Sequence, residues 1–331
     1  MRTGSDQAGD PPAAGPAVSS PFSSLRLAGW HGDLATWVDH LGWLRALSDR
    51  LTGALGPVRE RHQDNLVLEL LHGGRWVGHP LHPALSDLPI GLWAGVTVLD
   101  AVDRDPAPRP GIDAAGVLSA AGIVAAGATA VTGLTDWTVS NDEDRRVGLL
   151  HGLLNTAALG LQCASLGTRL AGHRSTARAL GAASLTVTAA AGYLGGHLVF
   201  ARGVMVSRVA WSTGPRRWAR ALPEADLPDD SPTAVVAEGR QILVYRAGGE
   251  LYAIDDVCSH AGGLLSRCPV TDLTATCPLH GSRFALTDGS VLRGPANQPQ
   301  PVLPTRIRNG WIEVRGSLPA PRRPANGRKQ P

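Results

Sequence analysis

From Leu34 to Leu55, apolar residues return every three or four positions (Trp37, Val38, Leu41, Leu44, Leu47, Leu51, Leu55) with Asp, His and Arg between them. That is the period of an amphipathic helix. A face packed on the rest of the protein is the simpler use of the stripe, although Trp30, Trp37 and Trp43 would suit a helix lying in a membrane surface. Further along, the polar half of the pattern disappears. Residues 114–135, 147–168 and 179–201 contain no Asp, Glu, Lys or Arg, and at about 1.5 Å per helical residue each reaches roughly 30 Å, the thickness of a bilayer's hydrocarbon core. A fourth span is expected over 85–102, where Asp100 interrupts an otherwise apolar run. Gly91 with Gly95 and Gly148 with Gly152 would let such helices approach closely in lipid. After residue 202 the period changes again. Short apolar runs at 234–237, 241–246, 251–254, 290–292 and 311–314 are separated by turn pairs such as Gly248-Gly249 and Asp288-Gly289, the pattern of a small all-β domain.

The expected fold class is therefore an α+β multidomain chain, a four-helix transmembrane bundle followed by an all-β domain. Its parts would be a tail over 1–25, an amphipathic helical segment over 26–84, the bundle over 85–201, a polar tether over 202–231, the β domain over 232–317 and a second tail over 318–331. Composition agrees: 43% of residues are hydrophobic and only 18% charged, which excludes a disordered protein and leans toward membrane contact. A net charge of +3, from 31 basic and 28 acidic residues, leaves no basic face for nucleic acid. Four cysteines are too few for a secreted disulfide framework, and no export signal is expected at the start. Four spans place residues 1–84, the 136–146 loop and everything after 202 on one side. Arg75, Arg145, Arg146, Arg202, Arg208, Arg216 and Arg217 lie there, against Arg104, Arg109, Arg169, Arg174 and Arg178 on the other. The positive-inside rule then puts both termini and the β domain in the cytoplasm, on a multi-pass inner-membrane protein. Trp76, Trp137, Trp211 and Trp218 are expected as interfacial anchors.

The β domain carries two Cys/His pairs, Cys258-Ser-His260 and Cys277-Pro-Leu-His280. Two thiolates and two imidazoles suit the outer positions of a diiron cluster or one tetrahedral zinc, and the ligand count does not choose between them. Cys163 and Cys268 stand apart as spare thiols.

The surroundings carry more information. Val257-Cys-Ser-His-Ala-Gly-Gly-Leu-Leu265, Cys277-Pro-Leu-His-Gly-Ser-Arg-Phe284, Asp288-Gly289 and Gly294-Pro-Ala296 through Pro299 and Pro301 closely resemble the Rieske [2Fe–2S] family. The resemblance covers about a quarter of the chain. It implies that Cys258 and Cys277 hold the inner iron and His260 and His280 the outer one, with electrons entering and leaving on the histidine side. It also implies that Gly262, Gly263 and Gly281 admit backbone N–H groups to the sulfurs, that Ser282 and Phe284 stand behind a ligand cysteine, and that Pro295 covers the cluster. The respiratory branch of the family has a disulfide clamp where this chain has Gly263 and Leu279, and a tyrosine hydroxyl where it has Phe284. A ferredoxin-type domain is implied, with a potential in the lower half of the family's range of roughly −150 to +300 mV.

The membrane half is similar to a four-helix bacterial family of uncharacterised function, through His79-Pro-Leu-His-Pro83, Gly133-Leu-Thr-Asp-Trp137, His151 and Gly195-Gly-His197. The topology puts His79, His82, His151 and His197 on the β-domain side, where they could form a second redox site with a b-type haem, a metal or a quinone. Asn155 and Tyr193, one turn from His151 and His197, could orient them; the competing role is hydrogen bonding of His151 and His197 to Asp87, Asp100, Asn155 or backbone groups, which would only fix helix register. The function expected is one-electron transfer by a membrane-anchored carrier between unidentified donor and acceptor proteins or a quinone. The alternatives are a quinone- or haem-linked oxidoreductase subunit and a redox-sensing or assembly protein. A complete Rieske oxygenase is not expected, because only a short tail follows the cluster domain.

Overall fold

The computed structural model describes residues 37–38, 40–62, 65–103, 113–212 and 214–316. The expected tails, with Trp30, lie outside these. The stripe around Leu44 forms α1 (Gly42–Arg61), followed by α2 (Leu66–His72) and the short α3 (Gly74–Val77). Four longer helices follow, α4 (Leu81–Val102), α5 (Ala114–Trp137), α6 (Asp142–Leu170) and α7 (Arg174–Phe200). All four are long and apolar enough to cross a membrane. The first begins four residues earlier than expected, so His82 and the prolines around it lie within its first turn. Val38 and Leu44 are fully buried against Trp137, Val147, Leu149 and Leu194, while Trp37 and Trp43 stay more than half exposed. The amphipathic stripe thus packs on the bundle, and its tryptophans lie off the packed face.

Charge inside the bundle is paired. At the end formed by the α4–α5 and α6–α7 connections, Arg169 lies 2.6 Å from Asp100 and 3.4 Å from Asp113, and Arg174 lies 2.6 Å from Asp103 and 2.7 Å from Asp113. Asp113 also caps α5, accepting from Gly116 N–H at 2.7 Å. The aspartate that breaks the first apolar run is therefore one member of a cross-helix ion-pair network that ties all four helices together.

The β domain consists of three antiparallel three-stranded sheets: β1 (Ala219–Pro223), β9 (Trp311–Val314) and β8 (Thr305–Arg308); β2 (Thr233–Ala237), β3 (Arg240–Ala247) and β4 (Glu250–Asp255); β5 (Thr274–Thr276), β6 (Arg283–Ala285) and β7 (Val291–Arg293). The expected tether is corrected by the first of these. β1 pairs with β9 from Ala219↔Val314 to Pro223↔Trp311, and Leu222 and Leu227 are buried in the core with Ile312 and Val314. Two of the expected anchors are corrected as well. Trp218 packs against the guanidinium groups of Arg306 and Arg315, whose Cζ atoms lie 4.2 and 5.0 Å from its ring centroid, and Trp137 is buried, donating its Nε1–H to Arg145 O at 2.7 Å. Trp76 and Trp211 remain exposed.

Candidate metal centre

The two Cys/His segments fold into matching rings at the ends of β4 and β5. In the first, Cys258 N–H donates to Gly263 O at 2.9 Å and Gly262 N–H returns to Cys258 O at 3.0 Å; in the second, Cys277 N–H donates to Ser282 O at 2.8 Å and Gly281 N–H returns to Cys277 O at 3.0 Å. Each ring closes through a left-handed residue, Gly262 at φ 80° and Gly281 at φ 74°, which explains a glycine four residues after each cysteine. Both sulfurs are buried in the core shared with Phe284 and Leu265. The rings are braced by Ser259 Oγ–H to Gln298 O at 2.7 Å, Gln300 Nε2 to Val257 O at 2.9 Å and Arg293 Nε to Gly281 O at 3.0 Å. Ser282 Oγ accepts from Ala296 N–H at 3.0 Å, fixing the segment that contains buried Pro295. A Cβ on Gly263 would come 2.9 Å from Cys277 Sγ, so the backbone there fits against the sulfur only because no side chain intervenes.

These residues fit a two-iron cluster. About 1.1–1.2 Å from ring centroid to nitrogen, plus about 2.0–2.1 Å from nitrogen to a first-row metal, puts two imidazoles on one tetrahedral ion about 5.1–5.4 Å apart. The His260 and His280 centroids are 5.1 Å apart. His280 Nδ1 is buried without a hydrogen-bond partner, as a nitrogen reserved for a metal would be. No three His, Cys, Asp or Glu among the described residues gather closely enough to share a single ion.

Electrostatics favour ligation. Burial, with the charges of His280, His72 and Arg208, pushes the His260 pKa down to about 3; burial, with Arg59 and Arg145, takes His280 down to about 4. Both imidazoles are neutral at pH 7, the form that binds metal. A hydrogen bond from the Cys258 thiol holds Cys277 down to about 6, and that bond together with burial pushes Cys258 up. The histidine shifts set a pH dependence. Above their ordinary value of 6.5 both rings are neutral folded or unfolded, and they add no slope. Below it the unfolded chain takes up protons that the folded chain refuses until about 4 and then about 3. Iron-free protein is therefore expected to lose stability steadily as the pH falls from 6.5 toward 4, read as a falling urea midpoint of tryptophan fluorescence. A midpoint that rises over this window would contradict the assignment.

The imidazole edge faces the bundle. Arg208 N–H donates to Ser259 O at 2.9 Å, and Gln298 Nε2 donates to Gly78 O. The space between Ser140, Asp144, Met205 and His260 is about 20 Å³, room for one water but not for a quinone ring. Close by, His72 Nδ1 meets Asp136 Oδ1 at 2.9 Å. His72 escaped the reading of the sequence, and Arg208 entered it only through the arginine bias. Asp136 was visible only as part of the Gly133–Trp137 motif, and its partner lies 64 residues away.

Of the four membrane histidines, the structure brings two together. His82 and His151 have ring centroids 6.2 Å apart. His79 is exposed, its Nδ1 donating to Pro80 O at 3.1 Å, and His197 is buried on α7. Asn155 does approach His151, with Nδ2 3.1 Å from Nε2. Cys268 is half-buried, and Cys163 is exposed on the surface of α6.

Comparison with known proteins agrees with both halves. The Rieske [2Fe-2S] domain model matches residues 217–305, and that of the DUF2231 predicted membrane proteins matches 78–208. The anthranilate 1,2-dioxygenase ferredoxin subunit of Burkholderia cepacia is 38% identical over 89 residues, 27% of this chain and 82% of that protein. The 3-phenylpropionate/cinnamic acid dioxygenase ferredoxin subunit of Escherichia coli K12 is 35% identical over 95 residues, 28% of this chain and 89% of that protein. Among solved structures, the ferredoxin of carbazole 1,9a-dioxygenase from Nocardioides aromaticivorans IC177 matches at 28% identity and a TM-score of 0.29, covering 30% of this chain and 98% of that one. The chain belongs to the Rieske [2Fe–2S] family through its C-terminal domain, which follows a DUF2231 membrane-protein domain in the same polypeptide.

Proposed function

We propose that this protein is a membrane-anchored one-electron carrier in which Cys258 and Cys277 hold one iron of a [2Fe–2S] cluster and His260 and His280 hold the other. When bound, the cluster takes up and releases a single electron. The chain's own residues do the rest. Buried thiols fix the inner end, and two neutral imidazoles offer the outer end without adding negative charge. Gly263 brings backbone against Cys277 Sγ, and Ser282 with Ala296 holds the covering Pro295 segment. The observation that carries the reading is the direction of the imidazole edge, which lies against the end of the helical bundle beside Arg208 and the His72–Asp136 pair. That direction favours an acceptor or donor at the bundle over a large soluble oxygenase, although ferredoxins of dioxygenase systems are similar to the domain. It equally favours the second reading, a subunit of a membrane oxidoreductase. We place the β domain and both termini in the cytoplasm, as the arginine bias suggests.

The test is electron paramagnetic resonance of the reduced protein in its own membranes. A rhombic signal integrating to about one spin per chain is expected, with two irons and two acid-labile sulfides per chain. Colourless protein containing zinc and no sulfide would overturn the proposal.

A further inference from the structure

A cleft of about 370 Å³ opens where the segment leaving α7 meets the β domain. It is lined by Arg208 and Ser212 from that segment, by Arg240, Gln241 and Asp255 from β3 and β4, and by Val257, the residue before Cys258. Arg240 is its unusual member. The residue is only 7% exposed, and its Nε–H donates to Asp255 Oδ2 at 2.9 Å. Asp255 is engaged on both oxygens, since Oδ2 also accepts from Ser212 Oγ–H at 2.8 Å and Oδ1 accepts from Val257 N–H at 3.0 Å. No other hydrogen bond from Arg240 is made among the described residues, and its Nη2 is buried without a partner. A guanidinium presents its N–H groups as a rigid fork. Leaving buried donors of a charged group unpaired is costly, and an acceptor brought by a ligand removes that cost.

The backbone is shaped around this side chain. A Cβ on Gly214, which has φ 60°, would collide with Arg240 Nη1, so the chain closes over the guanidinium only because no side chain intervenes. Charge names the class of acceptor. Two arginines against one fully engaged aspartate leave the cleft positive, and the fork of an arginine matches the paired oxygens of an oxoanion. Position narrows the class further. The Arg208 guanidinium reaches back to the end of α7, with Nη1 3.1 Å from where a Cβ on Gly203 would lie. Phe200 and Trp211, on either side of it in sequence, are 91% and 80% exposed, as aromatic residues at the depth of lipid headgroups are. Phosphate is the anion concentrated at that depth.

We propose that the cleft between Arg208 and Arg240 is a phosphate-binding site that takes the phosphoryl oxygens of a lipid headgroup or of free phosphate. The site stands without the cluster, and its effect on electron transfer rests on the carrier reading above. Arg208 is among the charges felt at His260, so an anion paired with it makes the cluster harder to reduce.

The probe is inorganic phosphate, titrated calorimetrically into the delipidated full chain in neutral detergent at fixed ionic strength. One site per chain is expected. Arg208→Gln and Gln241→Glu, both at exposed positions, should each weaken binding about threefold or more, and Gln241→Lys should strengthen it, with the cluster signal unchanged in all three. Arg240→Gln should abolish binding; because it also leaves Asp255 without its ion-pair partner, the exposed variants carry the decision. No saturable binding in the parent, or heats indifferent to Arg208→Gln and to both Gln241 variants, would overturn the proposal. Phosphatidylglycerol nanodiscs separate the two sources: phosphate binding seen in detergent and lost in the discs identifies the lipid headgroup as occupant, and equal binding in both identifies free phosphate. In cluster-loaded protein the midpoint potential should fall as the site fills, and a midpoint that stays fixed or rises would overturn the link to electron transfer. Phosphate binding by a chain without a cluster would keep this site and remove the carrier reading; a cluster without phosphate binding would do the reverse.

Discussion

Replacing either Cys258 or Cys277 with alanine is expected to abolish iron and acid-labile sulfide together, whereas Cys163→Ser and Cys268→Ser leave both at the parental level. The contrast follows from position. The first two sulfurs are buried on facing, hydrogen-bonded rings, and the other two lie outside the site. Because a cluster binds only the folded rings, its binding energy is folding energy for this domain. The alanine variants should therefore also become protease-sensitive in the β domain, while the helices stay resistant. His260→Cys makes a finer test. A thiolate in place of a neutral imidazole adds negative charge at the outer iron, and all-cysteine clusters lie near −400 mV against roughly −150 to +300 mV for the mixed set. The variant should keep two irons and fall by about 100 mV or more in potentiometric titration; an unchanged midpoint would remove His260 from the ligand set.

Arg169→Leu is expected to cost the bundle about 3–5 kcal/mol, the usual penalty for stripping one partner from a buried ion pair. Arg169 is 1% exposed and meets Asp100 at 2.6 Å. Without it, Asp100 is left with Arg178 among the described residues, whose Nε lies 3.9 Å away. The double replacement of Arg169 and Asp100 by leucine should recover most of the loss, since neither charge then remains unpaired. Denaturation in mixed micelles, followed by helical circular dichroism, measures both. Equal losses in the single and double variants would mean that the arginine acts through packing alone.

These two expectations also mark where sequence reading succeeds. The ligand rings were legible because everything that makes them is local: a cysteine, a histidine two or three residues on, and a glycine in the left-handed region at the fourth place. The spans were legible because hydrocarbon thickness fixes a length that can be counted. What stayed hidden was pairing at a distance. Asp100 looked like a flaw until Arg169, 69 residues on, supplied its partner. β1 looked like a tether because arginines and prolines mask its alternation, and only its pairing with β9 at the far end of the domain makes it a strand. The histidines were ambiguous for the same reason. Nothing in the order of residues distinguishes exposed His79 from His82, which is locked to the Thr129 carbonyl.

The imidazole edge resting on the helices has a kinetic consequence. An electron leaving the cluster toward the bundle travels within one molecule, so its rate should be first order and indifferent to dilution. A diffusing redox protein seeking the same edge must compete with helices tethered to it at a fixed, high local concentration. On the carrier reading proposed above, an acceptor at the bundle would thereby be favoured over strangers before any difference in affinity is counted.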